Sequence, residues 1–208
     1  MIKAVIFDLG RVLVPFDFQR GYARLEALCG IPAAEIPARL AGSALVADFE
    51  SGKIAPRDFV DRFCSHLNVD ISYQEFCDIW SSIFLPDPLI PEAMLEGIAR
   101  SYTLVLLSNT NAIHFEMLVK TYPLLRHFNS YVLSYKVGAM KPLPLIYQKA
   151  VEAAGCQPAE CFFADDIEAY VEAARAQGID AVQFQSAAQI EAELRKRGVK
   201  WSAASVRE

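Results

Sequence analysis

This sequence has no long apolar run. No segment approaches the ~20 consecutive apolar residues of a membrane-crossing helix. The opening Met1-Ile2-Lys3-Ala4-Val5-Ile6-Phe7 begins like a secretory leader, but Asp8 and Arg11 interrupt it too early. Basic patches are missing too. The net charge is −5, and the densest basic stretch is Arg195, Lys196 and Arg197 with Lys200. Cations there suit the end of a last helix, where they favour its dipole, so nucleic acid is not an expected partner. No cysteine pair has CxxC spacing. The five cysteines, Cys29, Cys64, Cys77, Cys156 and Cys161, are odd in number, and most have apolar neighbours. That argues against a disulfide framework and fits small core residues in a reducing cytoplasm. Internal repeats and low-complexity tracts are absent as well. A cytoplasmic protein without membrane partners is expected.

What is present is material for a core. The 208 residues are 53% hydrophobic, enough for one full domain plus a modest insertion. Short, nearly continuous apolar runs occur at 2–7, 102–107, 130–133, 161–164 and 181–184. Such runs suit strands of a parallel sheet covered on both faces. Helical patterns lie between them at 111–122, 144–155, 168–178 and 187–198, the last three closing on glycine. The alternation predicts an α/β fold, a doubly wound, Rossmann-like parallel sheet.

The stretch 16–85 differs. It holds no convincing strand, and 17–29, 33–40, 56–67 and 72–84 read as helices. Asp17 and Ser72 are good N-caps, and Ser72 with Glu75 spells a capping box. Gly30, Gly42 and Gly52 punctuate the joins, with Asp48, Phe49 and Glu50 in a turn before Gly52. Pro86, Pro88 and Pro91 mark a stiff return. The expected organisation is therefore a core of residues 1–15 and 86–208 interrupted by an all-helical cap at 16–85. Ligands of open α/β sheets sit outside the carboxyl ends of the strands. An insertion leaving the first strand there would stand over the site as a lid.

Polar residues gather at those strand ends. Asp8 follows the first run, Ser108-Asn109-Thr110-Asn111 the second, Lys141 comes shortly after the third, and Asp165-Asp166 ends the fourth. Taken singly each has an ordinary use: a turn residue, a helix cap, a surface lysine, an acidic helix start. Taken in order, Phe7-Asp8-Leu9-Gly10, Leu107-Ser108-Asn109-Thr110-Asn111, Lys141-Pro142 and Asp165-Asp166 resemble the haloacid dehalogenase superfamily over essentially the whole chain. More narrowly, the first, second and acidic motifs resemble a bacterial branch that includes sugar-phosphate phosphatases, and the N-terminal phosphatase domain of soluble epoxide hydrolases also looks similar.

The resemblance implies a magnesium-dependent phosphohydrolase acting on a small phosphorylated metabolite, a sugar phosphate for example. Asp8 would attack phosphorus and form an aspartyl-phosphate. Asp8, the Gly10 carbonyl, Asp166 and, directly or through water, Asp165 would hold Mg2+. Lys141 would offset charge on Asp8 and the phosphoryl group. Ser108 and the backbone or side chain of Asn109 would donate hydrogen bonds to the phosphoryl oxygens.

Three positions depart from the family's pattern. Most of its phosphatases carry a second aspartate, the general acid, two residues after the nucleophile, where this chain has Gly10. A good leaving group, a metal-bound water or a cap or loop residue would have to compensate, and His114, one turn beyond Asn111, is the candidate side chain. Tyr170 stands where many relatives have asparagine or aspartate. Arg11 stands where many have a small residue, and would either touch substrate or turn outward under the cap. The alternatives to a phosphatase are a binding protein that has lost turnover and, on the same nucleophile without metal, a 2-haloacid dehalogenase. The acidic pair and the lack of an aromatic residue at Gly10 disfavour the dehalogenase.

Overall fold

The computed structural model describes residues 1–41 and 43–202, so the expected break at Gly42 lies outside the described residues. The chain enters through β1 (Ala4–Phe7), whose residues are all buried. It leaves the sheet for α1 (Phe18–Cys29), α2 (Ile36–Ala41), α3 (Leu45–Glu50), α4 (Pro56–Leu67) and α5 (Tyr73–Ser81), returning through α6 (Glu92–Ala99). The rest alternates: β2 (Thr103–Ser108), α7 (Ala112–Thr121), β3 (Ser130–Leu133), α8 (Ser134–Val137), α9 (Pro144–Ala154), β4 (Cys161–Asp165), α10 (Glu168–Ala176), β5 (Asp180–Gln183) and α11 (Ala187–Lys196).

The five strands form one parallel sheet in the order β3-β2-β1-β4-β5. Successive strand residues face opposite layers. Val5, Phe7, Leu104, Leu106 and Phe162 join a core with Ile98, Leu118 and Leu194. Ala4, Ile6, Val105, Leu107 and Phe163 face the other way, onto Ile146, Tyr147 and Val171. Both faces being covered is why the strands read as unbroken apolar runs. β1 lies centrally between β2 and β4, so the motifs at their carboxyl ends come together.

Helices α1 to α5 have a core of their own. Phe49, Phe59, Phe63 and Phe76 are buried there, with Phe49 stacked on Phe59 at 4.0 Å between ring centroids. Burying each ring contributes about 1.5–3 kcal/mol. Asp17 and Ser72 cap as expected, accepting from the backbone N–H of Gln19 and Glu75. The two chain crossings into this helical unit run antiparallel. Asp17 N–H donates to Ile83 O (2.8 Å), and Leu85 N–H donates to Pro15 O (2.9 Å). Gly52, at φ +73°, lies so close to Tyr135 that a β-carbon would stand 2.0 Å from the Tyr135 carbonyl oxygen. Only glycine fits this contact between the helical unit and the sheet domain.

Two sequence expectations are corrected. Asp48, Phe49 and Glu50 are the end of α3, not a turn. Six residues are too few for a helical period to show, and burial of Leu45 and Phe49 against the aromatic cluster supplies the stability. Of the five cysteines, Cys161 is buried and the other four are partly exposed; all are free thiols. The terminal basic run pairs with carboxylates: Arg197 holds Asp180 through two nitrogens, at 2.6 and 2.8 Å, and Arg195 holds Glu191.

Candidate active site

β1 delivers Asp8 into the crevice, and the backbone secures it, Asp8 N–H donating to Ala164 O at 3.0 Å. The chain then turns tightly. Leu13 and Val14 N–H both return to Leu9 O, and Arg11 is driven to φ 57°, the left-handed region that non-glycine residues enter at a cost. Leu9, Val12, Leu13 and Val14 anchor this turn by burial.

Lys141 is the hub of the site. Its side chain is 1% exposed, and Nζ lies 2.7 Å from Asp8 Oδ1 and 2.5 Å from Asp165 Oδ2. Burial works against its charge, but the two carboxylates outweigh that and hold its pKa above the ordinary lysine range. The loop carrying it is clamped by Asn109, whose Oδ1 accepts from Lys141 N–H (2.7 Å) and whose Nδ2 donates to Lys141 O (3.0 Å). The Asn109 side chain is thereby committed to the protein. Of the two donors expected at Asn109, backbone or side chain, the side chain is the one engaged within the protein. The Ser108 hydroxyl makes just a long 3.4 Å bond to Asn109 O, which leaves it able to turn to a ligand.

The third carboxylate is Asp166. One oxygen from each of Asp8, Asp165 and Asp166 lies within 4.8 Å of the others. Burial, reinforced by Asp165 against the pull of Lys141, pushes Asp8 up to about 7. Burial and then Asp165 raise Asp166 as well. Three clustered carboxylates against one ammonium leave an uncompensated negative charge, and hard oxygen donors in this arrangement suit a divalent cation. Asp165 has less freedom to move, since Oδ1 accepts from Ile167 N–H (2.9 Å) while Oδ2 holds Lys141.

Tyr170 does keep a place at the site. Its ring lies 5.1 Å from Lys141 Nζ and its hydroxyl accepts from Asn109 Nδ2 at 3.5 Å, so a cation–π contact stands where a polar side chain was expected. His114 is elsewhere. Its Nε2 bonds Trp80 O (2.9 Å) and its Nδ1 bonds the Asn111 amide (3.1 Å). Burial lowers its pKa to about 4. A neutral imidazole whose one N–H is given to Trp80 O is a poor proton donor, which corrects the expectation of a substitute acid. Asn111, not Ser108, caps α7.

Sequence reasoning missed Ser134 and the role of Phe16. The buried Ser134 hydroxyl both donates to Thr110 O and accepts from Thr110 N–H, each at 2.9 Å, fixing the second motif. The Phe16 ring fills the space beside Gly10, where a β-carbon would meet Phe16 Cε1 at 2.7 Å. The Arg11 guanidinium covers the same ring at 4.8 Å. Neither contact leaves a sequence signal, because each joins residues by loop geometry.

A family model described as "haloacid dehalogenase-like hydrolase" matches residues 2–178. The chain belongs to that family. It is 26% identical over 203 residues to a D-ribitol-5-phosphate phosphatase of Bacteroides thetaiotaomicron, covering 93% of this chain and 97% of that protein. A haloacid dehalogenase family enzyme of the same organism, solved with magnesium and inorganic phosphate, superposes with TM-score 0.78 at 27% identity, over 89% of this chain and 96% of its own. A hydrolase of the family from Porphyromonas gingivalis gives TM-score 0.80 at 26% identity, over 95% and 98%. The α/β fold with a helical cap is thus shared along nearly the full length. No described helix is long and apolar enough to cross a membrane.

Proposed function

We propose that this family member is a magnesium-dependent phosphohydrolase of a small phosphorylated metabolite, with Asp8 as nucleophile and residues 16–85 as its lid. The observation that carries this reading is the buried Asp8–Lys141–Asp165 arrangement with Asp166 beside it. The magnesium- and phosphate-bound structure of the Bacteroides enzyme supports it. Asp8, Asp166 and the Gly10 carbonyl would hold the ion directly, and Asp165, already engaged by Lys141 and Ile167, through water. When bound, the ion supplies positive charge that keeps Asp8 ionised and neutralises phosphoryl oxygens.

The chain's own groups do the rest. An Asp8 oxygen attacks phosphorus in line, the bond from phosphorus to the leaving oxygen breaks, and an aspartyl-phosphate forms. Water then attacks that phosphorus, releasing phosphate and restoring the Asp8 carboxylate. Lys141 stays protonated throughout, held between two carboxylates, and balances charge on the phosphoryl group. Ser108 and the Asn109 backbone orient the phosphoryl oxygens. Gly10 takes the place of the usual acid and His114 is neutral, so the leaving group must depart with little help from a side-chain proton donor. Good leaving groups are therefore favoured. The Bacteroides relative makes sugar-alcohol phosphates one substrate class to assay.

Hydrolysis of p-nitrophenyl phosphate with magnesium, with a chelator, and by Asp8→Asn tests the reading. Magnesium-dependent turnover that the variant loses is expected. Turnover that survives in Asp8→Asn, or that ignores the chelator, contradicts it. A folded protein that binds phosphate without turnover would instead be the binding relative.

A further inference from the structure

A cavity bounded mainly by the helical unit, with His114 of α7 in its wall, lies apart from the carboxylate cluster. It measures about 390 Å3, the scale of a small-ligand site. Its walls are apolar, with Leu25, Leu40, Val46 and Ile79 from four different helices. A sugar alcohol would lose its hydration there without replacement.

Glu50 is the one acidic residue in the cavity's lining, beside the less polar Tyr22, Ser43 and His114. It sits at the end of α3 and lines this cavity. Desolvation alone pushes its carboxyl up to about 7; no charged or hydrogen-bonding neighbour offsets it. A half-buried carboxyl facing largely apolar walls without a charged partner is costly to ionise. Among the described residues no group bonds its side chain, so a ligand group is the partner that chemistry supplies.

Two chains of contacts link the cavity's lining to the crevice. Phe18 lines the cavity and packs on Phe16 at 4.9 Å, and Phe16 in turn fills the space beside Gly10. His114 lines the cavity and is bonded to Asn111, the last residue of the Ser108 motif. A group bonded to a phosphoryl at Asp8 and directed past these rings would enter the apolar space.

We infer that this cavity receives the leaving group of the substrate, and that it selects a largely apolar group ending in a hydroxyl or amine opposite Glu50. The inference rests on the phosphohydrolase reading and narrows its substrates from sugar alcohols to amphiphilic phosphate monoesters.

The test compares kcat/KM for hexyl phosphate, 6-hydroxyhexyl phosphate, D-ribitol 5-phosphate and acetyl phosphate in the wild type and in Glu50→Leu. Leucine suits the cavity, so this variant should fold at least as well. The wild type should prefer the hydroxyhexyl ester to the hexyl ester by about tenfold, and both to the ribitol ester. Glu50→Leu should reverse the first preference while cleaving acetyl phosphate, too small to reach the cavity, at the wild-type rate. Equal handling of the two alkyl esters by both proteins, or preference for the ribitol ester, overturns the inference. Absence of acetyl phosphate turnover in the wild type instead overturns the phosphohydrolase reading. The cavity is then judged by 1,6-hexanediol and 1-hexanol titrated against Trp80 fluorescence in a Trp201→Phe background. Saturable diol binding that Glu50→Leu abolishes upholds the site, and no binding of either alcohol overturns it.

Discussion

The crevice at the sheet edge and the cavity in the helical unit both bury ionisable groups, and they treat charge in opposite ways. In the crevice the charges gather around one ammonium, with Asp166 beside it left uncompensated. Lys141 holds Asp8 and Asp165, Asn109 holds the lysine's backbone, and Tyr170 lies beside the ammonium. In the cavity the charge is suppressed, with His114 lowered to about 4 and Glu50 raised to about 7 by burial. The crevice is therefore arranged to meet an anion and a cation. The cavity suits a group with little charge. On the proposed reading, the fold separates the two tasks of a phosphohydrolase, activating phosphorus and choosing what is attached to it.

The largest test of this contrast sets one substitution in each region side by side. Lys141→Met leaves Asp8 and Asp165 buried without their cation and should cost about 3–5 kcal/mol. Glu50→Leu removes an unpartnered carboxyl and should stabilise by about 1–3 kcal/mol at neutral pH and above. Urea denaturation of both variants reads the two signs, and destabilisation by both would erase the distinction.

His114 supplies a pH test. Its pKa falls from the ordinary 6.5 to about 4 on folding, so the unfolded chain takes up a proton that the folded chain refuses. Its contribution is complete above pH 6.5 and fades as the pH falls toward 4, by up to about 3 kcal/mol. The stability difference between wild type and His114→Gln should shrink across that window. A constant difference would mean that the imidazole is charged in place.

Next in size is the missing acid. Gly10→Asp alone should give no gain, because the Phe16 ring occupies the side-chain position. Gly10→Asp with Phe16→Ala should speed hydrolysis of esters with poor leaving groups by about tenfold or more, within the range of general acid catalysis. A gain from Gly10→Asp alone would show that Phe16 yields readily. The smallest effect is at Tyr170. Tyr170→Leu removes the ring beside Lys141 and should cost about 1 kcal/mol, with turnover largely retained.

Much of this was legible in the sequence. The strands announced themselves because burial on both faces leaves them uniformly apolar. Asp8, Ser108, Lys141 and Asp165-Asp166 could be placed together because a parallel sheet puts every strand's carboxyl end on one edge. What escaped depended on contacts distant in the chain or on short elements. The end of α3 passed for a turn, since six residues show no period. His114 looked available as an acid because nothing local reveals that Trp80 O, 34 residues away, engages its ring. Gly10 read as an absence, whereas the structure shows the space filled by Phe16. The cavity and its carboxyl at Glu50 could not be seen at all, since helices with apolar faces spell the same pattern whether they close on one another or leave a space.

The most direct measurement is to stop a turnover of p-nitrophenyl phosphate with acid, digest the protein and weigh the peptide that contains Asp8. The account predicts a phosphoryl group on Asp8 in the wild type and none in Asp8→Asn. Steady turnover with the peptide unmodified, or with the phosphoryl group on another residue, would contradict it.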